Sequence, residues 1–138
     1  MGAWSYESFG NDDACDWIAE LEEHDDLGFV ESTFDAVLAV GDDYLEAPEA
    51  CAAIAAAEVV ARLQGHFGRK DASSEGVDAW VERVRLQPPA SLIDKACRAL
   101  DRILSDPSEL LELWEDAEPS GAWQAEVKNL KARVRLTS

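Results

Sequence analysis

Residues 48–64 read PEACAAIAAAEVVARLQ, and this stretch decides the fold. Pro48 stands at a first-turn position that helices favour, and Gly65, directly after the stretch, can end a helix. The segment from Ala50 to Val60 is rich in alanine and nearly uncharged. A helix that is apolar on most of its sides is a buried one, and small side chains let neighbouring helices approach closely. The stretch therefore predicts a central helix around which the rest of the chain packs.

Outward from this helix, apolar residues recur at helical spacing along most of the chain. Six further helices are predicted, at about residues 12–23, 28–40, 77–86, 90–104, 108–116 and 122–135. Residues 65–76 are the one clear loop by their Gly, Ser and charged content, and residues 1–10 are predicted to be an ordered aromatic arm. No alternating strand pattern occurs in the sequence. At 138 residues we expect one all-α domain, a compact bundle of six or seven short helices.

Residues that interrupt the apolar pattern have structural explanations. Glu58 is the charged exception in the central helix, and it is predicted to pair with Arg62 one turn further on. The cysteines, Cys15, Cys51 and Cys97, are far apart and form no Cys-x-x-Cys pair. We expect them to be small buried side chains in a reducing cytosol. The five tryptophans are expected to anchor the core.

The charge is strongly one-sided along the chain. The first 61 residues contain 16 Asp and Glu and no Lys or Arg, whereas the chain from Arg62 onward contains 13 acids and 12 bases. The net charge of −17 thus lies almost wholly in the N-terminal half. Such a field repels nucleic acid and anionic membranes and attracts basic proteins or cations. Because no apolar run approaches a membrane span and no signal-peptide pattern is present, a cytoplasmic protein is expected.

Four ionisable residues fall on one stripe of the first predicted helix and the turn after it. Asp12, Asp16, Glu20 and His24 recur every four residues, and the run Glu22-Glu23-His24-Asp25-Asp26 continues this surface. Like charges at this spacing repel one another weakly. Three interpretations stay open: a solvated face, a surface for a basic partner, or a weak site for Mg²⁺ or Ca²⁺.

A second acidic cluster precedes the central helix, in Asp42-Asp43-Tyr44-Leu45-Glu46. Adjacent carboxylates beside a tyrosine can receive a cation or an arginine from a partner. The structural alternative is a group of charges where a loop enters a helix. Asp42, Asp43, Tyr44 and Glu46 are therefore candidate partner-binding residues.

Signals for catalysis are weak. His66 lies between glycines and beside two cations, but the loop lacks a full phosphate-binding pattern, and a histidine in a loop is usually only that. No hydrolase, zinc-protease or dinucleotide-binding motif occurs. The four bases of the last predicted helix are too few for a nucleic-acid footprint on so acidic a chain. We therefore predict no catalytic residue and no cofactor.

Three stretches carry a likeness to a known family. They are Gly2-Ala3-Trp4-Ser5 with Phe9 and Asn11-Asp12-Asp13-Ala14-Cys15-Asp16-Trp17, then Tyr44-Leu45-Glu46-Ala47-Pro48-Glu49, and the Leu-rich stretch that ends at Trp114-Glu115. They resemble a bacterial family known as domain of unknown function 4259, whose members usually have Gly where Ser5 stands. The resemblance implies a compact intracellular bacterial domain. It implies no activity, cofactor or catalytic residue.

Two classes of function, and one plainer account, fit these features. The first is a non-catalytic acidic module that docks a basic bacterial protein, either as an immunity-type inhibitor of a cationic toxin or as a nucleic-acid mimic for a DNA-binding protein. Its predicted contact residues are Asp12, Asp16, Glu20, Glu23, Asp25, Asp42, Asp43, Tyr44 and Glu46. The second is a small metal-dependent enzyme or metal-binding protein that uses Asp12, Asp16, Glu20 and His24. In the plainer account the acidity serves only solubility.

Overall fold

Seven helices make up the part of the chain that the computed structural model describes, which comprises residues 12–65, 75–105, 107–115 and 122–135. The helices are α1 (Asp12–Leu21), α2 (Gly28–Ala39), α3 (Ala47–Leu63), α4 (Glu75–Val84), α5 (Ala90–Ile103), α6 (Glu109–Glu115) and α7 (Ala122–Arg135). These residues form no β-strand, and the prediction of an all-α fold is confirmed. The predicted arm at 1–10 and most of the predicted loop at 65–76 lie outside the described residues.

Helix α3 is the centre of the bundle, as its sequence predicts. It contacts each of the other six helices. From Cys51 to Leu63 every residue except Ala52 is buried, and a continuous run of small side chains permits this on nearly every side. Pro48 lies within the first turn, where its missing N–H costs no helical hydrogen bond. The predicted central helix is therefore confirmed.

Helices α1 and α2 are joined through an aromatic contact. The Trp17 ring stacks on Phe29 with centroids 5.3 Å apart, and the Trp17 indole N–H donates to Thr33 Oγ1 at 2.8 Å. Ile18 and Leu21 are buried on the same side of α1. Because these apolar side chains share one face of α1, Asp16 and Glu20 are exposed on the other side.

A buried group of charges ties α3 to α4 and α7. Glu58 and Arg62 are each 2% exposed, and the predicted pair between them is present, with Nε and Oε1 3.3 Å apart. Arg62 also bonds Asp78 of α4, and Arg133 of α7 bonds both carboxylate oxygens of Glu58. Charges this deep are tolerated when each one has partners. The group therefore helps to fix how three helices meet.

Three helices end in a residue with a left-handed backbone. Gly41 (φ 60°) follows the last turn of α2 and Gly65 (φ 87°) follows that of α3, as the sequence predicts. Arg85 adopts φ 47° after α4, although it carries a side chain. A left-handed backbone is strained in residues other than glycine. The end of α4 is thus a local weak point.

The other sequence-based expectations for the core are met at three of the four described Trp and Cys positions, and Cys97 is only half-buried. Trp17 and Trp80 are buried, and so is Cys51. The side chains of Cys15, Trp4, Trp114 and Trp123 lie outside the described residues. No helix in those residues combines the length and the apolar character that a membrane crossing requires.

Candidate functional site

The first part of the predicted site lies on α1 and the turn that follows it. Asp16 and Glu20 are exposed on α1, opposite the buried face, and Glu23 and Asp25 are exposed in the turn. We call these four residues the N-terminal acidic cluster. Asp12 begins α1, but its side chain lies outside the described residues. The structure thus leaves these four predicted carboxylates at the surface, on α1 and on the turn before α2.

The turn between α1 and α2 is held by side chains of α4. The indole N–H of Trp80 donates to the carbonyl oxygen of His24 at 2.7 Å. Arg83 donates to the carbonyl oxygens of Glu22 and His24, both at 3.2 Å, and forms an ion pair with Asp25 at 3.1 Å. The backbone of this turn is therefore fixed, although the two ion-pair side chains are largely exposed.

The side chain of His24 packs against an aromatic residue of α2. Its ring stacks on Phe29, with centroids 4.7 Å apart and planes 3° from parallel. Within the described residues, no group of three or more His, Cys, Asp or Glu side chains is placed to hold a metal ion. The predicted metal stripe also includes Asp12, whose side chain those residues do not cover. The metal site stays a prediction without geometric support.

The second part of the predicted site is the turn between α2 and α3. We call residues 41–46 the Tyr44 turn. Leu45 is fully buried, its N–H donates to Pro107 O at 3.1 Å, and its carbonyl oxygen accepts from Glu109 N at 2.8 Å. The carboxylate of Glu109 accepts from Ala47 N at 2.9 Å and so caps the first turn of α3, where Glu46 provides no side-chain cap. Both backbone groups of Leu45 are therefore hydrogen-bonded to residues at or just before the start of α6, and these bonds hold the Tyr44 turn.

Arg102 of α5 holds the same turn through hydrogen bonds to its backbone. Its guanidinium donates to four carbonyl oxygens: Gly41 (2.8 Å), Asp43 (2.6 Å), Ser105 (2.8 Å) and Pro107 (3.0 Å). A planar guanidinium can serve several acceptors at fixed angles in this way, whereas an ammonium cannot. Arg102 thus joins the end of α2 to the turn between α5 and α6.

Tyr44 projects from this turn into solvent. It is 47% exposed and is the only exposed large hydrophobic residue in the described part of the chain. Its hydroxyl donates to Glu112 Oε1 of α6 at 3.3 Å. Partial burial, and next the negative carboxylates of Glu112 and Glu109, raise the pKa of the Tyr44 phenol above its ordinary value. The ring is therefore a neutral aromatic surface set among carboxylates.

Basic side chains of the described residues form ion pairs mainly with carboxylates outside the predicted site. The ion pairs are Arg62 with Glu58 and Asp78, Arg83 with Asp25, Lys95 with Glu31 and Asp35, Arg98 with Asp94, Lys131 with Asp101, and Arg133 with Glu58. Within the described part of the chain, Arg83 alone forms an ion pair with a carboxylate of the predicted site. Among the described residues the other predicted carboxylates form no ion pair, namely Asp16, Glu20, Glu23, Asp42, Asp43 and Glu46. The negative charge of the site is thus left almost unneutralised.

The turns that carry most of the predicted residues lie at the two ends of α2. Glu23 and Asp25 precede Gly28, and the Tyr44 turn follows Ala39. A helix of that length spans about 18 Å. Asp16 and Glu20 lie on α1, where the neighbouring Trp17 bonds Thr33 of α2. On α2 itself, Glu31 and Asp35 share Lys95, with contacts of 2.7 and 2.9 Å. The acidic residues of the two turns therefore form two patches, one at each end of α2, and Lys95 neutralises part of the charge between them.

A protein-family model matches residues 2–126, and its description is Domain of unknown function (DUF4259). The chain belongs to this family. No curated protein and no solved structure matches the chain. The residues of the chain that match the DUF4259 model include both acidic patches and Arg102, and the match ends within α7.

The sequence did not predict two acidic residues that bond the Tyr44 turn and the residue after it. Glu109 and Glu112 of α6 approach Tyr44 and Ala47 from more than sixty positions along the chain. The Leu-rich run around them predicts a helix and nothing about its neighbour, so no local signal could have found them. Their two carboxylates extend the second acidic patch of this DUF4259 chain.

The described cysteines offer no reactive site. Cys51 is buried and Cys97 is half-buried, and neither forms a disulfide within the described residues. Burial raises the pKa of the Cys97 thiol, and Arg135 and Lys131 offset this only in part. A thiol with a raised pKa is a poor nucleophile, since the thiolate is the reactive form. Cys51 is thus buried as predicted, whereas Cys97 is less buried than predicted.

Proposed function

We propose that this chain is a non-catalytic acidic binding module that docks a basic bacterial protein. One observation carries the proposal: within the described residues, six exposed carboxylates of the predicted site form no ion pair (Asp16, Glu20, Glu23, Asp42, Asp43 and Glu46), while the ion pairs of the bases are mostly with other carboxylates. Charge that is not neutralised internally remains available to steer and hold an oppositely charged partner.

The most concrete form of the proposal is an immunity-type inhibitor of a cationic toxin such as a nuclease. The carboxylates of Asp16, Glu20 and Asp43 would occupy a groove that otherwise binds phosphates. Tyr44 supplies an aromatic contact, which suits an arginine or lysine because the ring face attracts cations. A mimic of nucleic acid that acts on a DNA-binding protein would use the same carboxylates.

The first test is a pull-down from host lysate at low salt with stepwise salt elution, followed by mass spectrometry. A single basic protein released at about 0.1–0.5 M salt, where exposed charges become screened, is the expected result. The binding kinetics of that protein are then measured with the purified chain. An eluate without a basic protein would count against the proposal.

The second test separates a defined surface from net charge alone. A variant with Asp16→Lys, Glu20→Lys and Asp43→Lys is compared with Glu82→Lys, Asp94→Lys and Glu126→Lys, which changes the net charge equally. The first variant should slow association by about tenfold or more, and the control should slow it much less. Equal effects would mean that only the overall charge matters, and unchanged affinity in both would refute the proposal.

A further inference from the structure

We propose that Arg102 is a positioning residue that holds the Tyr44 turn in the conformation used for binding. This inference rests on the proposed function, and it assigns to one cation a role that its charge would not suggest. A positive residue beside an acidic patch should weaken the attraction for a basic partner. Arg102 is expected to strengthen binding because of where its donors point.

The guanidinium of Arg102 bonds backbone carbonyl oxygens rather than carboxylates. Four of its hydrogen bonds reach carbonyl oxygens, two of them in the Tyr44 turn, at Gly41 and Asp43. The other two reach Ser105 and Pro107 in the turn between α5 and α6. Within the described residues the carboxylates of Asp42 and Asp43 have no ion pair, so they stay available to a partner.

Arg102 and Leu45 fix the Tyr44 turn at two points. Pro107 O accepts from both Arg102 Nη2 and Leu45 N, so the guanidinium and the buried leucine share one anchor. Glu109, which follows that anchor, bonds Leu45 O and caps α3. A loop held in its bound conformation loses less entropy when a partner binds, and this raises affinity without a new contact.

Arg98 provides a matched control on the same helix. It lies one turn before Arg102, it is exposed, and its described ion pair is with Asp94, 2.9 Å away. Lysine at either position keeps the charge and removes the guanidinium, while methionine removes the charge as well. Charge alone predicts that both methionine variants bind a basic probe more tightly. Positioning predicts the opposite sign at 102.

The experiment measures binding of a fluorescent oligoarginine peptide at low salt, well below the melting temperature. The full-length chain carries Asp16→Asn, Glu20→Gln and Glu23→Gln, so that most of the N-terminal acidic cluster is neutralised and the Tyr44 turn dominates. Arg102→Lys and Arg102→Met should each weaken binding by about fivefold, which equals about 1 kcal/mol. Arg98→Lys should bind as its parent does, and Arg98→Met slightly more tightly.

Each outcome decides one question. If the parent shows no salt-sensitive binding, the proposed function fails at this surface and the inference falls with it. If the parent binds and the Arg102 variants match their Arg98 counterparts, the inference alone is wrong. Should Arg102→Met unfold, Arg102→Lys, which keeps the charge, still decides. Binding by Arg102→Lys equal to that of Arg98→Lys would overturn the inference.

Discussion

The two turns that flank α2 carry similar acidic sequences but are held by different means. In the α1–α2 turn, Arg83 forms an ion pair with the carboxylate of Asp25, and the ring of His24 stacks on Phe29. In the Tyr44 turn, Arg102 donates hydrogen bonds to carbonyl oxygens, and the aromatic ring of Tyr44 is exposed. A cation close to an acidic run can therefore neutralise it or merely support its backbone. Within the described residues, only the second arrangement leaves every carboxylate of its turn without an ion pair.

The largest expected effect tests how firmly each turn is anchored by apolar burial. Leu45→Ala should lower the free energy of unfolding by about 3 kcal/mol, because Leu45 is fully buried and its loss leaves a cavity. The matched change in the α1–α2 turn is Leu27→Ala, where the half-buried leucine should cost only about 1 kcal/mol. Urea unfolding measures both, and equal losses would contradict the difference in anchoring.

The next effect compares the two arginines directly. Arg102→Met removes four hydrogen bonds to carbonyl oxygens and should cost about 2 kcal/mol of unfolding free energy after allowance for partial exposure. Arg83→Met should cost about 1 kcal/mol or less, since Arg83 is 52% exposed and Trp80 still holds the turn. Thermal and urea unfolding are both suitable. A larger loss at 83 would reverse the comparison.

A smaller effect concerns the backbone at the start of the Tyr44 turn. Gly41 has φ 60° and nothing within 4 Å of an added Cβ, so Gly41→Ala should cost about 1 kcal/mol through backbone strain alone. Arg85 has φ 47°, and Arg85→Gly should raise the stability by up to about 1 kcal/mol. The two changes thus have opposite expected signs in the same unfolding assay. A stabilising Gly41→Ala would show that the turn does not keep this conformation.

The smallest effect is a shift in titration. The raised pKa of Tyr44 means that the folded chain keeps the phenol proton to higher pH than the unfolded chain. Stability from this source is therefore constant below the ordinary value of 10.0 and falls as the pH rises through the folded pKa. Phenolate absorbance in a Tyr6→Phe background reports Tyr44 alone. Glu112→Gln should lower the midpoint, and Glu126→Gln should leave it unchanged.

Local sequence was enough to locate the helices and the centre of the bundle. Apolar spacing predicts each of the seven helices to within about a turn, and the alanine-rich run predicts that α3 is buried. The Glu58–Arg62 pair follows from i,i+4 spacing. Asp16 and Glu20 lie on the exposed face because Trp17 and Leu21 lie on the buried one. All of these depend on residues within a few positions of one another.

The character of the candidate site depends on contacts that local sequence does not encode. Arg102 and the Tyr44 turn are about sixty positions apart, and Glu112 is further away still. Periodicity indicates which face of a helix is apolar but not which helix covers it. The sequence shows two acidic clusters, and the length of α2 sets the distance between the turns that carry them.

The buried pairing of Glu58 with Arg133 also has a consequence for how the protein is made. On the ribosome, α3 is complete early, whereas α7 is the last of the described helices to be synthesised. Until α7 arrives, Glu58 lacks one of its two arginine partners and one side of α3 is uncovered. Contacts so distant along the chain slow folding, and the exposed apolar surface invites aggregation. The dense negative charge of residues 1–61, which emerges before α7, can keep nascent chains apart during that interval.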